Sequence, residues 1–301
     1  MVQDLQNPLL DPAHLANIED LSLLARVVVE GNFFGIHRSR RQGQGNEFFQ
    51  YRSYESGEDL KNVDWKIYAK RGELVTKTYQ ESTNANVMLV LDGSASMGYQ
   101  GEGSPCSKFR YAQMLAACLF YLSYRQGDRV GLFGGSENSL EWMFPSGGKE
   151  NFKRVLTCMA GMKAKGKDAT DDVWRKFKSK LPVQATVVVI SDFLENEEKL
   201  AQRLSFAQSS RYDCLCLQIL DPLEETLPQD EAVRFTELEG ERDLSVSPER
   251  IRSDYQSRMN AHLEKLQSIM AQVGAEFCTL RTHQNLGHGL RKFLGMRGGA
   301  K

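Results

Sequence analysis

The stretch Val87-Met88-Leu89-Val90-Leu91-Asp92-Gly93-Ser94-Ala95-Ser96 decides how this chain is read. Its unbroken apolar run is the pattern of a parallel strand buried on both faces. The run ends on a carboxylate followed by hydroxyls at alternate positions. In an extended turn, residues two apart project to the same side. Asp92, Ser94 and Ser96 therefore converge at a strand's carboxyl end, where open α/β sheets bind ligands. All three are hard oxygen donors, suited to Mg²⁺ or Mn²⁺ rather than to zinc.

Working outward, a second strand is as clear as the first. Ala185 to Ile190 contains the β-branched run Thr186-Val187-Val188-Val189-Ile190 and ends at Ser191-Asp192. Between the two lie a helix over 108–125 stopped at Gly127, a strand over 129–133, a turn at 134–136 and an edge strand over 140–144. Helices over 150–162 and 171–180 follow. Beyond Asp192 the pattern gives a helix over 195–208, a strand over 214–220, a long helix over 251–273, a strand over 276–280 and a closing helix over 287–294. This alternation predicts a three-layer, Rossmann-like α/β domain, a mostly parallel sheet with helices on both faces. The domain spans 85–295, with a tail at 296–301. Residues 1–84 are more polar and weakly periodic, and read as an arm of irregular or short-strand structure packed on the main domain. A helix over 20–30 and a turn at Gly43-Gln44-Gly45 are expected there. Residues 222–247 form a second irregular region, with a hairpin of 233–236 and 242–246 turning at 239–241.

Composition narrows the function. The chain has 301 residues, a 41% hydrophobic content and a formal net charge of −1. No global field therefore favours nucleic acid or a membrane surface. No apolar run approaches membrane-spanning length, and the first residues lack the layout of a secretion signal, so a cytoplasmic location is expected. The basic run His37-Arg38-Ser39-Arg40-Arg41 has no interleaved aromatics and reads as a solvated loop. None of the six cysteines forms a C-x-x-C pair, and Cys214 and Cys216 read as buried thiols.

Enzyme readings meet specific obstacles. The order Ser96, Asp192, His283 matches an α/β-hydrolase triad, but the segment Ser94-Ala95-Ser96-Met97-Gly98 lacks the first glycine of the G-x-S-x-G elbow. An aspartyl phosphotransferase wants a second acid at Ser94, and no Walker loop is present. A non-catalytic module is expected. Asp92 and Ser94 also suit simple capping of the following turn, as does Asp192 for a helix near Glu195.

The D-x-S-x-S pattern at Asp92, Ser94 and Ser96 resembles the metal-ion-dependent adhesion site of von Willebrand factor type A domains. That resemblance implies a site completed by a threonine from a loop and an aspartate from a strand end, here Thr170 and Asp192. It implies that Ser94, Ser96 and Thr170 supply neutral oxygens, while Asp92 and Asp192 mostly accept hydrogen bonds from metal-bound waters. A cation so held keeps much of its field and can take a partner's Asp or Glu carboxylate. The Gly-Gly-Thr usual in such domains is Asp168-Ala169-Thr170 here, so Asp168 or Asp171 could replace or supplement Thr170.

A second resemblance covers about residues 15–295. Phe48-Phe49-Gln50-Tyr51-Arg52-Ser53-Tyr54-Glu55-Ser56-Gly57-Glu58-Asp59, then Val63-Asp64-Trp65-Lys66-Ile67-Tyr68-Ala69-Lys70, resembles the signature of the bacterial "domain of unknown function 58" family, as does the upstream Gly35-Ile36-His37-Arg38-Ser39. The resemblance implies a von Willebrand type A-like domain and a partnership with a MoxR-type AAA+ ATPase or its client. It implies no reaction. Read as residues, Arg52, Glu55, Glu58, Asp59 and Asp64 suit structural ion pairs holding the arm, with Trp65 as a buried anchor. A scaffold with a vestigial metal site is the remaining reading.

Overall fold

The computed structural model describes residues 10–32, 42–54, 59, 61, 63–80, 85–137, 139–228, 233–236, 238 and 243–298. Its centre is a six-stranded sheet built from β3 (Asn86–Asp92), β4 (Arg129–Ser136), β5 (Ser139–Ser146), β6 (Ala185–Ser191), β7 (Tyr212–Leu220) and β10 (Glu276–Arg281), in the order β10-β7-β6-β3-β4-β5. Neighbours are parallel except for the edge strand β5, which runs antiparallel to β4.

Strand periodicity sorts the core into two layers. Val87, Leu89 and Leu91 face one way and pack with α2 (Leu21–Asn32), α4 (Lys108–Arg125), α5 (Lys149–Gly161) and α10 (Gly287–Gly298). Met88 and Val90 face the other way, toward α6 (Asp171–Lys180), α7 (Glu197–Arg203) and α9 (Pro248–Val273). The expected α/β architecture, with helices on both faces of a mostly parallel sheet, is thus observed. Helix α4 is buried almost all round, because the arm's helix α2 covers its outer side. The arm accordingly shares the main core through Leu21, Leu24, Ala25, Val28 and Val29.

Several expectations need correction. The arm holds more regular structure than its polarity suggests: α1 (Pro12–Leu15), β1 (Gln42–Ser53), α3 (Trp65–Arg71) and β2 (Val75–Gln80), with β1 and β2 paired antiparallel. Gly43-Gln44-Gly45 lies within the bounds of β1, at the register shift where Gln42 and Glu47 both pair with Gln80. Trp65 is not a buried anchor: it is 54% exposed, because Asp64 takes the buried position as N-cap of α3 and turns the next residue outward. Asp59 accepts a hydrogen bond from the Lys61 amide. Glu55, Glu58 and the stretch 35–41 lie outside the described residues.

The 195–208 helix is shorter than expected. Asn196 caps α7, and a 3-10 turn over Leu204–Gln208 follows. The hairpin appears as β8 (Val233–Thr236) and β9 (Asp243–Val246), its turn lying outside the described residues. A short helix, α8 (Pro222–Thr226), stands where no regular structure was expected; its Asp221–Glu224 capping box is the overlooked signal.

Candidate metal site at the centre of the sheet

From β3 the chain moves by α4 toward β4, and from β6 by α7 toward β7, so the connections diverge at the β3–β6 boundary. This reversal of strand order opens a crevice at the strands' carboxyl ends. Asp92 closes β3, and Asp192 follows β6 directly.

Asp92 is gripped from two sides. The Ser94 amide donates to its Oδ1 at 2.9 Å, and the Ser191 hydroxyl donates to its Oδ2 at 2.6 Å. The first bond makes Asp92 a local turn cap, as the capping reading expects. Ser94 differs. It occupies the N-cap position of the 3-10 turn Ala95–Gly98 without making a side-chain cap bond. Its hydroxyl instead lies 3.0 Å from that of Ser96. Two glycines allow this turn to lie against β4. A methyl group at Gly93 would stand 2.8 Å from the Gly135 backbone, and Gly135, at φ +124°, would drive one into the Ser139 carbonyl.

The loop before α6 is stitched to the same turn. The Ala95 amide donates to Gly166 O at 2.8 Å, and the Lys165 amide donates to Gly93 O at 2.9 Å. This places Asp168 beside Asp92. Burial, reinforced by the negative charges of Asp168 and Asp192, pushes the Asp92 carboxyl up to about 7 despite its two hydrogen bonds. Glu195 is pushed up to about 8, chiefly by burial, with Arg203 opposing.

The other acids already have cations. The fully buried Lys108 Nζ lies 2.7 Å from Asp192 Oδ2 and 2.6 Å from Glu224 Oε1. Burial alone would lower the ammonium's pKa, but the two carboxylates outweigh it and hold the group charged. Arg203 pairs with Asp168, with Asp171 at 3.0 Å and with Glu195 at 2.6 Å, and also donates to Ala169 O. Thr170 is exposed and stands at the N-cap of α6 without a side-chain cap bond.

The structure therefore brings Asp92, Ser94 and Ser96 together and sets Asp192 and Asp168 within electrostatic reach. Among the described residues no side-chain hydrogen bond joins Thr170 to them. Asp192 does not cap α7; it accepts from the Leu194 amide and from Lys108. His283 is exposed and bonded to neither Ser96 nor Asp192, so the hydrolase triad is not assembled.

Sequence reasoning missed Lys108, Arg203 and Glu224. Lys108 had a signal: a cation at a helix's first residue opposes the helix dipole and needs an acid nearby. Arg203, in a last helical turn, had none. Among the described residues no cluster of three or more His, Cys, Asp or Glu side chains forms a ligand set. The donors gathered at the turn are a hydroxyl pair and one carboxylate crowded by like charge. That chemistry fits a hard divalent cation, which would relieve the repulsion on Asp92.

Several known proteins are similar to this chain. The uncharacterized proteins Rv1480 of Mycobacterium tuberculosis and Mb1516 of Mycobacterium bovis are each 24% identical over 285 residues, covering 91% of this chain and 87% of theirs. Among solved structures, the conserved hypothetical protein BatB of Bacteroides thetaiotaomicron aligns with a TM-score of 0.48 at 12% identity, over 70% of this chain and 96% of that one. The SpRpn10 VWA domain aligns with a TM-score of 0.45 at 12% identity, over 72% of this chain and 98% of its own. Residues 50–265 match the family described as "Protein of unknown function DUF58", and the chain belongs to that family.

Proposed function

We propose that this protein is a non-catalytic binding module that recognises a carboxylate on a partner protein through a divalent cation, Mg²⁺ or Mn²⁺. Asp92, Ser94 and Ser96 would hold the ion, with Thr170 and Asp192 completing its surroundings. When bound, the ion supplies a Lewis-acidic position for a partner's Asp or Glu side chain. The chain's own part is arrangement. Ser191 and the Ser94 amide orient Asp92, and Lys108 neutralises Asp192 so that the site does not carry that charge unopposed. Arg203 ties the Asp168 loop to α7. The single observation that carries the reading is Asp92 itself, a buried carboxylate at the sheet's switch point, held by the Ser191 hydroxyl and the Ser94 amide beside the Ser94–Ser96 hydroxyl pair, raised to about 7 and ion-paired to no described residue.

The partner we propose is a MoxR-type AAA+ ATPase or its client, met in the cytoplasm. No helix among the described residues is long and apolar enough to cross a membrane. Calorimetric titration with Mg²⁺ and Mn²⁺, beside Asp92→Ala, tests the ion. Saturable binding lost in the variant is expected. A purified MoxR-type ATPase, mixed with the protein with and without EDTA, tests the partner. Association that ignores the chelator, in a protein that calorimetry shows to bind neither ion, would mean a scaffold whose site is vestigial.

A further inference from the structure

The Val63-Asp64-Trp65 motif has no place in the metal site, and the structure places its tryptophan outside the core. Helix α3 buries none of its seven residues. So short a helix does not persist through propensity alone; it is held at both ends. Asp64 accepts from the Lys66 amide at 2.9 Å and the Ile67 amide at 3.3 Å, and Gly72 closes the other end in the left-handed region, at φ 71°. Asp64 is in turn buried and takes a hydrogen bond from the Tyr51 hydroxyl.

What this clamp displays is unusual for a surface. Trp65 and Tyr68, about half exposed, meet edge to face with ring centroids 6.0 Å apart. Tyr51 and Leu74 are also exposed. Single exposed apolar residues need no explanation, but two large aromatic rings joined on one helix do. Lys66, Lys70 and Arg71 lie on the same helix, all exposed, and none makes an ion pair with a described residue. The helix carries no acid. Tryptophan, tyrosine and arginine are the residue types that dominate binding energy at protein interfaces.

We propose that α3 is a docking surface for an acidic segment of a partner protein, with an apolar side chain of the segment packing on Trp65 and Tyr68 and its carboxylates pairing with Lys66, Lys70 and Arg71. Charge complementarity selects this occupant. A single-stranded nucleic acid would want ring faces free for successive bases, whereas these rings stand at 89° to each other, edge on face. The surface works independently of the cation site, so docking here survives chelation.

The test is fluorescence anisotropy of a short labelled peptide of Glu, Leu and Phe, in EDTA, on the full chain. The same peptide with Lys for Glu and a labelled oligo-dT serve as comparators. The acidic peptide is expected to bind, to weaken about tenfold with Trp65→Ala and with Lys66→Glu/Lys70→Glu, and to bind Asp92→Ala normally. Thermal melts of each variant check the fold, and Tyr68→Ala stands in if Trp65→Ala melts early. Absence of peptide binding, or binding indifferent to these substitutions, overturns the proposal. So does tighter binding of oligo-dT. Sedimentation showing self-association lost in Trp65→Ala would assign the surface to a second copy of the chain instead. Calorimetry of Mg²⁺ reports separately on the cation site, so either reading can fail alone.

Discussion

Asp92 and Asp192 end neighbouring parallel strands, yet Asp92 is held by a hydroxyl and an amide while Asp192 faces the buried ammonium of Lys108. The residue type and topological position are the same, and the charge environment is opposite. Asp192 carries its charge inside an ion pair that Glu224 shares. Burial and two neighbouring acids push the Asp92 carboxyl up to about 7. Two acids at a switch point therefore sit in opposite surroundings: one is part of the frame, and the other is the acid to which our proposal assigns an incoming cation.

The sharpest way to break this contrast is Lys108→Met, which keeps bulk and removes the ammonium. It strands two carboxylates in the interior and should lower unfolding free energy by about 3–5 kcal/mol in urea titrations. A loss below about 1 kcal/mol would mean that Asp192 needs no counter-charge.

Asp92→Asn should act in the opposite sense in metal-free buffer. The folded-state pKa of Asp92, about 7, lies above its unfolded value. Its contribution to stability is thus full below the unfolded pKa and is lost as pH rises through 7. The parent protein should lose stability between pH 5 and pH 8, with Glu195, raised to about 8, adding to the trend. The asparagine variant should be more stable than the parent at pH 8 by about 2 kcal/mol and show a flatter pH profile. A variant that is less stable at pH 8 would refute the crowding of Asp92.

Ser191→Ala is a finer probe. It removes the 2.6 Å bond to Asp92 and the acceptor of the Phe193 amide. A cost of about 1 kcal/mol is expected, with the Asp92 titration, followed by carboxyl-carbon NMR, moving to higher pH. The smallest effect belongs to the exposed Asp172–Arg175 pair. Arg175→Ala should change stability by less than about 0.5 kcal/mol, which sets the baseline for the other three.

The sequence announced the strands because burial on both faces leaves an unbroken apolar run, seen at Val87–Leu91 and Val187–Ile190. The acids at their ends were legible for the same reason: a charged residue directly after such a run must lie at the sheet's edge. The cations were not. Lys108 meets Asp192 across 84 residues and Glu224 across 116, and a basic residue in a helix ordinarily reads as solvated. The arm misled in the other direction. Its motif of aromatic and charged residues suggested a buried anchor at Trp65, but capping by Asp64 claimed the interior position and left the ring outside. Thr170 enters the site only through the resemblance, and the residue stands exposed at the start of α6.

The contact between Gly93 and Gly135 sets the vocabulary in which the site can vary. No side chain fits at either position, since the backbone of the neighbouring strand or turn already fills the space. Asp92 and Ser94, on either side, lie outside that glycine contact, so exchanging one oxygen donor for another there is limited by the hydrogen bonds and burial of each rather than by the glycine packing. A library randomised across 92–96 should therefore return diverse donors at 92, 94 and 96 among folded clones, and glycine alone at 93. The oxygen donors are the replaceable letters here, and the empty position between them is the grammar.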